Sequence, residues 1–404
     1  MKKITKNFIL IVFAVVVIFQ NLNFVSLATA GQINSKPEFR GTWISFLEFQ
    51  SILCKKSEKE FESNIDKMFD NIKNSNLTDV IVCVHPFSDA LYKSKIFPTS
   101  HLLTSTQGDE MIFDPLQIMI NKAHERGLKI HAWFNPYRIK NPNSKLVLAE
   151  NHVAKKWIDE NNKFEIIKTK NGGIYYNPCS ENAKQLIVKG VEEVVKNYNV
   201  DGVQFDDYFY PAVDESIDVE SYKKYVSDGG KLTLNEWRFE NVNSLIKNVY
   251  SAIKAIKPNV MFGISSDGVI ERNYNVHYSD VKKWASEPGY IDYLMPQIYF
   301  GFNHSKVPFN STLEDWCNLS KLDGVKLYIG LACYKIGNED KFAGVGSKEW
   351  INNHNIISQQ IISCRKNNCN GFVFYRYDSL FTPEQNVKNA VDAEISSVLP
   401  LLKD

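Results

Sequence analysis

Eight short β-rich runs spaced along the chain constrain its fold more than any other feature. They fall at 39–46, 79–86, 129–136, 201–208, 259–266, 291–300, 326–334 and 371–378, so their starts lie 40, 50, 72, 58, 32, 35 and 45 residues apart. Each interval holds a strand, a loop and a returning helix, which is what parallel neighbours require. The runs are close to continuously apolar, as in Val80-Ile81-Val82-Cys83-Val84 and Leu327-Tyr328-Ile329-Gly330-Leu331. Strands covered on both faces have this composition. Between them, residues 58–75, 114–126, 180–198, 235–257, 312–322 and 348–366 repeat apolar positions at three- and four-residue spacing, the period of amphipathic helices. Asp114-Pro115 opens one helix, Gly127 closes it, and Lys257-Pro258 ends another. With a last helix over 391–402, the pattern predicts an α/β fold, a closed (β/α)8 TIM barrel. An open doubly wound sheet is the competing architecture, but no Gly-rich dinucleotide fingerprint follows the first strand.

A barrel also accounts for most of the 404 residues. Residues 1–30 carry Lys2, Lys3 and Lys6, no acid, an apolar run from Phe8 to Phe19 and the small-residue ending Ala28-Thr29-Ala30. This is the organisation of a secretory signal peptide cleaved after Ala30, and the run is short of the ~20 residues that span a bilayer. The expectation is a signal peptide at 1–30 and a single barrel domain at 31–404, secreted or cell-wall associated and without a stable membrane span. Losing three lysines leaves 44 basic against 46 acidic residues, a net charge of −2 in place of +1. That balance argues against nucleic acid as a partner, because such binding needs clustered cations. Extra length gathers in two long βα loops, 137–179 after the third strand and 209–234 after the fourth, with a short hairpin expected over 172–178. Both loops lie on the side where a barrel keeps its site, so they are expected to wall a cleft. Seven scattered cysteines include no C-x-x-C pair, and a Cys364–Cys369 bridge is one pairing the spacing allows.

The residues at the strand C-terminal ends carry the chemistry. In order they are Trp43 and Ser45; His85 and Asp89; Asn135, Tyr137 and Arg138; Gln204, Asp206, Asp207 and Tyr208; Ser266, Asp267 and Glu271; Gln297 and Tyr299; and Tyr375, Arg376 and Asp378. Aromatic platforms mixed with carboxylates, amides and arginine suit a sugar, which has apolar ring faces and a hydroxyl edge. The strongest feature is Phe205-Asp206-Asp207-Tyr208-Phe209-Tyr210-Pro211. Strand alternation puts Gln204 and Asp206 on one face, with Asp207 at the turn. Glycoside cleavage needs two carboxyl groups, one to protonate the leaving oxygen and one as nucleophile or base. Asp206 is the first choice for nucleophile or base; Asp207, Asp267, Glu271, Asp89 and Asp378 remain open as the acid. Among His85, His101, His124, His131, His152, His277, His304 and His354, no two are three or four apart, so no metal and no cofactor is expected. Gly344-Val345-Gly346-Ser347, ahead of the helix expected at 348–366, has the form of an anion cradle.

Several motifs together carry a family resemblance. Phe39-Arg40-Gly41-Thr42-Trp43, Ser88-Asp89-Ala90-Leu91-Tyr92-Lys93-Ser94, His131-Ala132-Trp133-Phe134-Asn135-Pro136-Tyr137-Arg138, the Phe205–Pro211 run, Pro296-Gln297-Ile298-Tyr299 and Phe374-Tyr375-Arg376-Tyr377-Asp378 occur in order. Over roughly residues 38–400 the chain resembles the bacterial glycosyl-hydrolase-like family 10, secreted TIM-barrel proteins. The resemblance implies a (β/α)8 barrel, a carbohydrate substrate and the fourth-strand acidic pair as catalytic centre. The chain departs from the family pattern in having His85-Pro86 where Arg-Pro is common, and in Ser265-Ser266-Asp267-Gly268, which leaves the role of Asp267 open. The expected function is a secreted glycoside hydrolase acting on a cell-wall glycan, peptidoglycan included, or an extracellular polysaccharide. Asp206, Asp207 and Asp267 are the expected catalytic residues. His85, Asp89, Asn135, Tyr137, Arg138, Gln204, Tyr208, Gln297, Tyr299, Tyr375, Arg376 and Asp378 are expected to shape the sugar site. The alternative is a non-catalytic glycan-binding protein on a degenerate barrel.

Overall fold

All eight runs form strands of one closed sheet. The computed structural model describes residues 37–207, 209–211 and 215–403; the expected signal peptide and Tyr208 lie outside them. The strands are β1 (Phe39–Ile44), β2 (Asp79–His85), β3 (Lys129–Phe134), β4 (Arg138–Lys140), β5 (Ile166–Lys168), β6 (Ile174–Tyr176), β7 (Gly202–Phe205), β8 (Met261–Ile264), β9 (Tyr293–Leu294), β10 (Lys326–Ala332) and β11 (Gly371–Tyr375). The barrel order is β1-β11-β10-β9-β8-β7-β3-β2, every pair is parallel, and β1 meets both β2 and β11. β4, β6 and β5 make a separate antiparallel sheet inside the long loop after β3, with the expected hairpin at its centre.

The strands stop short of the predicted runs. β7 ends at Phe205 and β8 at Ile264, so Asp206, Asp207, Ser265, Ser266 and Asp267 leave the ladder at the mouth. β9 has only two residues, and isolated bridges from Gln297 to Asp267 and to Gly330 carry its pairing further. Inside the barrel, glycines make room for rings: a Cβ at Gly202 would lie 2.2 Å from His131 Nδ1, and one at Gly263 2.1 Å from Tyr293 Cε2. These rings form a polar thread. Trp43 Nε1 donates to Gln204 Oε1 at 2.7 Å, Gln204 Nε2 donates to Tyr293 Oη at 3.4 Å, and Tyr293 Oη lies 3.1 Å from His131 Nδ1.

Three expectations need correction. The helix expected at 348–366 is two, Glu349–Asn352 and Ile356–Lys366. The buried Glu394 carboxylate accepts the Ile356 and Ser358 amides at 3.0 and 3.2 Å, so a remote side chain caps the second helix and sets its start. The Gly344–Gly346 turn is no anion cradle: the helix after it has four residues, and a Cβ at Gly346 would lie 2.4 Å from the Asn303 carbonyl oxygen. Its glycines serve close backbone packing. Finally, Cys369 Sγ faces Cys317 Sγ at 3.7 Å, and Cys364 and Cys369 are not bonded.

The loop after β7 is tied down by Arg238 on the helix Leu234–Ile256. Its Nε donates to Asp218 Oδ2 at 2.8 Å, a terminal nitrogen donates to the other Asp218 oxygen, and Nη1 donates to Tyr278 Oη at 2.7 Å. The guanidinium also stacks over Tyr210 and Tyr278, 5.5 and 5.0 Å from the ring centres. Both partners of this bidentate pair are fully buried. Arg238→Ala should cost about 3–5 kcal/mol in urea unfolding, because it strands a buried carboxylate. Adding Asp218→Ala should recover part of that loss.

Candidate active site

Asp206 sits at the barrel mouth, one residue past the end of β7. It follows Gln204 by two residues and so shares its inward face. Trp133 Nε1 donates to Asp206 Oδ2 at 3.2 Å and Asn135 Nδ2 donates to the same oxygen. Both donors come from the neighbouring β3 and the residue just past it, and Trp133 is in register with Gln204. Two N–H groups aimed at one oxygen suit an acceptor and fix its orientation. The other Asn135 amide atom, Oδ1, is buried without a partner.

Asp207 turns the other way, into a cleft of about 610 Å³ lined also by Asp267, Gln297, Tyr299, Tyr334 and Phe342. Gln297 Nε2 donates to Asp207 Oδ1 at 3.2 Å and reaches Ser265 Oγ at 3.2 Å. Asp207, Asp267 and His277 each present a ligand-type atom within 4.8 Å of the other two. Asp267 Oδ1 accepts the Val269 amide at 2.8 Å and Arg272 Nε at 3.0 Å, and His277 Nε2 lies 3.8 Å from Oδ2.

These contacts push two neighbouring carboxyls apart. Burial raises Asp207, and the Asp267 charge adds to it; His277 and Gln297 oppose without cancelling. Burial also raises Asp267, but His277, the Val269 amide and Arg272 outweigh it and hold that carboxyl below its ordinary range. One group is therefore suited to keep a proton and the other to stay charged, the division that acid and base roles need. Asp207, Asp267 and His277 are also the one three-ligand group of this kind among the described residues. Arg272 already sets a fixed positive charge against Asp267.

A row of aromatic rings leads from the barrel interior to the cleft. Tyr375 lies 5.8 Å from Trp43 and 5.4 Å from Tyr299, which lies 5.8 Å from Tyr334. Asp206, Asp207, Asp267, Asn135, Gln297, Tyr299 and Tyr375 thus gather at one mouth, with Gln204 beneath them.

The remaining expected residues do not line it. His85 is buried between Phe97 and Phe134, 4.4 and 5.0 Å away, and burial pushes its imidazole down to about 4. Asp89 is buried too, accepting from Gln107 Nε2 at 3.1 Å and facing His101 Nδ1 at 3.4 Å. Tyr137 packs edge-on to Phe209 in the core. Arg138 stacks on Phe46 and Phe87, and its Nε donates to the Pro86 carbonyl at 3.1 Å. Arg376 Nε donates to Glu48 Oε1 at 2.9 Å, and Arg376 and Asp378 line a separate hollow of about 370 Å³. Glu271 is exposed on a short helix. A polar residue near a strand end reaches the mouth only if its side chain points inward, and His85, Asp89, Tyr137 and Arg138 are turned into the loop packing instead.

Sequence reasoning missed His277, Trp133, Glu48, Tyr334 and Phe342. His277 stands ten positions past Asp267, beyond a short helix that no periodicity marked. Glu48 had a usable signal, since Ser45-x-x-Glu48 is a capping box at the end of β1.

Comparison with known proteins agrees with this architecture. The family described as glycosyl hydrolase-like 10 matches residues 38–350. Glycosyl hydrolase YngK of Bacillus subtilis is 38% identical over 335 residues, covering 78% of this chain and 64% of that protein. Glycosyl hydrolase DigH of Escherichia coli is 33% identical over 348 residues, covering 80% and 77%. Among solved structures, the PgaB (BpsB) glycoside hydrolase domain of Bordetella bronchiseptica matches with a TM-score of 0.56 at 11% identity, over 89% of this chain and 99% of that one. The catalytic domain of β-amylase from Paenibacillus polymyxa matches at 0.55 and 10% identity, over 91% and 100%. At such identity these last two are likenesses of fold.

The opposed carboxyls can be probed by titration. Asp267→Asn removes a neighbour that raises the Asp207 pKa and should lower it, whereas His277→Gln removes a neighbour that lowers it and should raise it. Carbon-13 spectra of labelled aspartate, assigned by difference from Asp207→Asn, would read both shifts. Movement in the same direction would refute the coupling.

Proposed function

The chain belongs to the glycosyl hydrolase-like 10 family, and on that premise we propose that it is a secreted glycoside hydrolase acting on a cell-wall glycan, peptidoglycan included, or an extracellular polysaccharide. The observation that carries this reading is the adjacent Asp206 and Asp207 in opposite surroundings, one tethered by two N–H donors and the other raised by burial beside Asp267, whose own carboxyl is held low. Asp207 is the general acid: its proton goes to the glycosidic oxygen as the bond to the anomeric carbon breaks. Asp206 meets the positive charge developing on the sugar ring, as nucleophile or as base for water. Asp267 adds its charge to the burial that raises the Asp207 carboxyl, and so favours the protonated form of that acid. Tyr299 and Tyr375 offer faces for the ring and Gln297 an amide for its hydroxyls. The basic, apolar and small-residue pattern of residues 1–30 supports export, and a location outside the cytoplasm supports a wall or extracellular glycan as substrate.

Mass spectrometry of products released from purified peptidoglycan, from its N-deacetylated form and from a polysaccharide panel would identify the bond and the sugar. Asp206→Asn and Asp207→Asn should each lower turnover by about 10²–10⁴-fold with the fold retained in circular dichroism. Near-normal turnover in both would sink the assignment. Saccharide binding with no product from the wild type would favour the non-catalytic alternative.

A further inference from the structure

The aromatic side chains at the cleft form a series graded in exposure. Trp43, on the floor, is 2% exposed; Tyr375 and Tyr299 are half-buried; Tyr334 is 41% exposed and Phe342 90%. Neighbouring rings from Trp43 through Tyr375 and Tyr299 to Tyr334 lie 5.4–5.8 Å apart, and Tyr299, Tyr334 and Phe342 all line the cleft that holds Asp207. A single exposed phenylalanine on a mobile loop would call for no explanation. This loop is fastened on both sides of the ring. Lys335 Nζ donates to Asp340 Oδ2 at 2.5 Å and to the Tyr299 carbonyl at 2.7 Å, and the Asp340 amide donates to the Ser347 carbonyl at 2.9 Å. Ser305 donates through its amide and hydroxyl to the Ala343 carbonyl, at 2.9 and 3.0 Å, and its Oγ accepts the Val345 amide at 3.0 Å. Buried Glu349 accepts the Phe302 and Asn303 amides at 3.0 and 2.9 Å and holds the segment Ser305 stands on. The backbone thus presents Phe342 to solvent at a cleft edge, at the cost of leaving a large apolar ring wet.

We propose that Tyr334 and Phe342 form a remote sugar subsite, taking a pyranose ring of an oligosaccharide whose scissile bond lies at Asp207. The inference rests on the glycoside hydrolase reading and adds which side chains grip a sugar of the chain away from the bond that breaks. The physical reason is the match of surfaces: the C–H faces of a pyranose are apolar and cover an aromatic ring, while the hydroxyl edge stays in water. A platform set on fastened backbone loses little entropy when the sugar arrives. Binding energy gained there, away from the reacting bond, holds the next sugars in line with Asp207 and raises kcat/KM for longer chains only.

The test uses chitooligosaccharides from disaccharide to hexasaccharide on the full protein, Phe342→Ala and Phe342→Trp. The wild type should gain kcat/KM with length. Phe342→Ala should lose roughly 2- to 10-fold on the longest chains and nothing on the shortest, with the tryptophan variant keeping the gain. Phe342 is almost wholly exposed, so the variants should fold. An equal loss at every length, or none, overturns the subsite. Hexasaccharide binding to Asp207→Asn, with and without Phe342→Ala, is measured alongside by calorimetry. If the wild type cleaves no member of the ladder yet binding weakens in the double variant, the subsite stands and chitooligosaccharides are excluded as the substrate, while the hydrolase reading is decided separately on the peptidoglycan and polysaccharide panel. Absence of hexasaccharide binding overturns the subsite.

Discussion

The pairing of β11 with β1 closes the sheet, and the rest of the molecule depends on that seam. It joins Phe39 to Gly371, more than 300 positions apart in the chain. The approach is so close that a Cβ at Gly371, whose φ is +155°, would lie 2.0 Å from the Phe39 carbonyl oxygen. Closure turns eight separate strand ends into one ring. Asp206 past β7, Asn135 past β3 and Tyr375 on β11 face a common centre only because no edge strand is left to splay.

Given that ring, the chemistry follows from how differently two consecutive side chains are surrounded. Asp206 looks down onto Trp133 and Asn135, and Asp207 looks outward to Gln297, Asp267 and His277. One peptide unit separates a buried carboxyl held by fixed N–H donors from one that lines the cleft beside a like charge. Neither environment comes from the motif itself. Each is assembled from other strands, so the same Asp-Asp pair on another scaffold would not inherit it.

This explains which features were legible in the sequence. Apolar continuity over Val80–Val84 and the spacing of the runs are local signals, and all eight strands followed from them. The helices with strong end signals also stand where expected: Asp114 caps Pro115–Glu125, and its carboxylate accepts the Gln117 amide. The break before Ile356 was invisible because its cap, Glu394, lies 38 positions away. Strand alternation gave the inward direction of Asp206 and Gln204, although Gln204 is buried in the internal thread below the mouth. Arg138 and Asp89 were misplaced because a loop carries no periodicity to tell inward from outward. His277 and Phe342 reach the cleft through loop paths that only the folded chain defines.

The hydrogen-bonded thread of Trp43, Gln204, Tyr293 and His131 bears on how this barrel can change over generations. Its direction is set at the top: Trp43 can only donate, so Gln204 must turn its oxygen upward and its amide hydrogens down towards Tyr293. Replacing any one member with an apolar residue leaves its neighbour's polar atom stranded in a dry interior. The glycines at 202 and 263, which make room for these rings, add steric locks of their own. Drift at the barrel centre must therefore come in concerted steps, while the loops around the mouth are free to vary one residue at a time. Inherited variation in this lineage should be found at the rim that meets the ligand, above a floor whose residues can only change together.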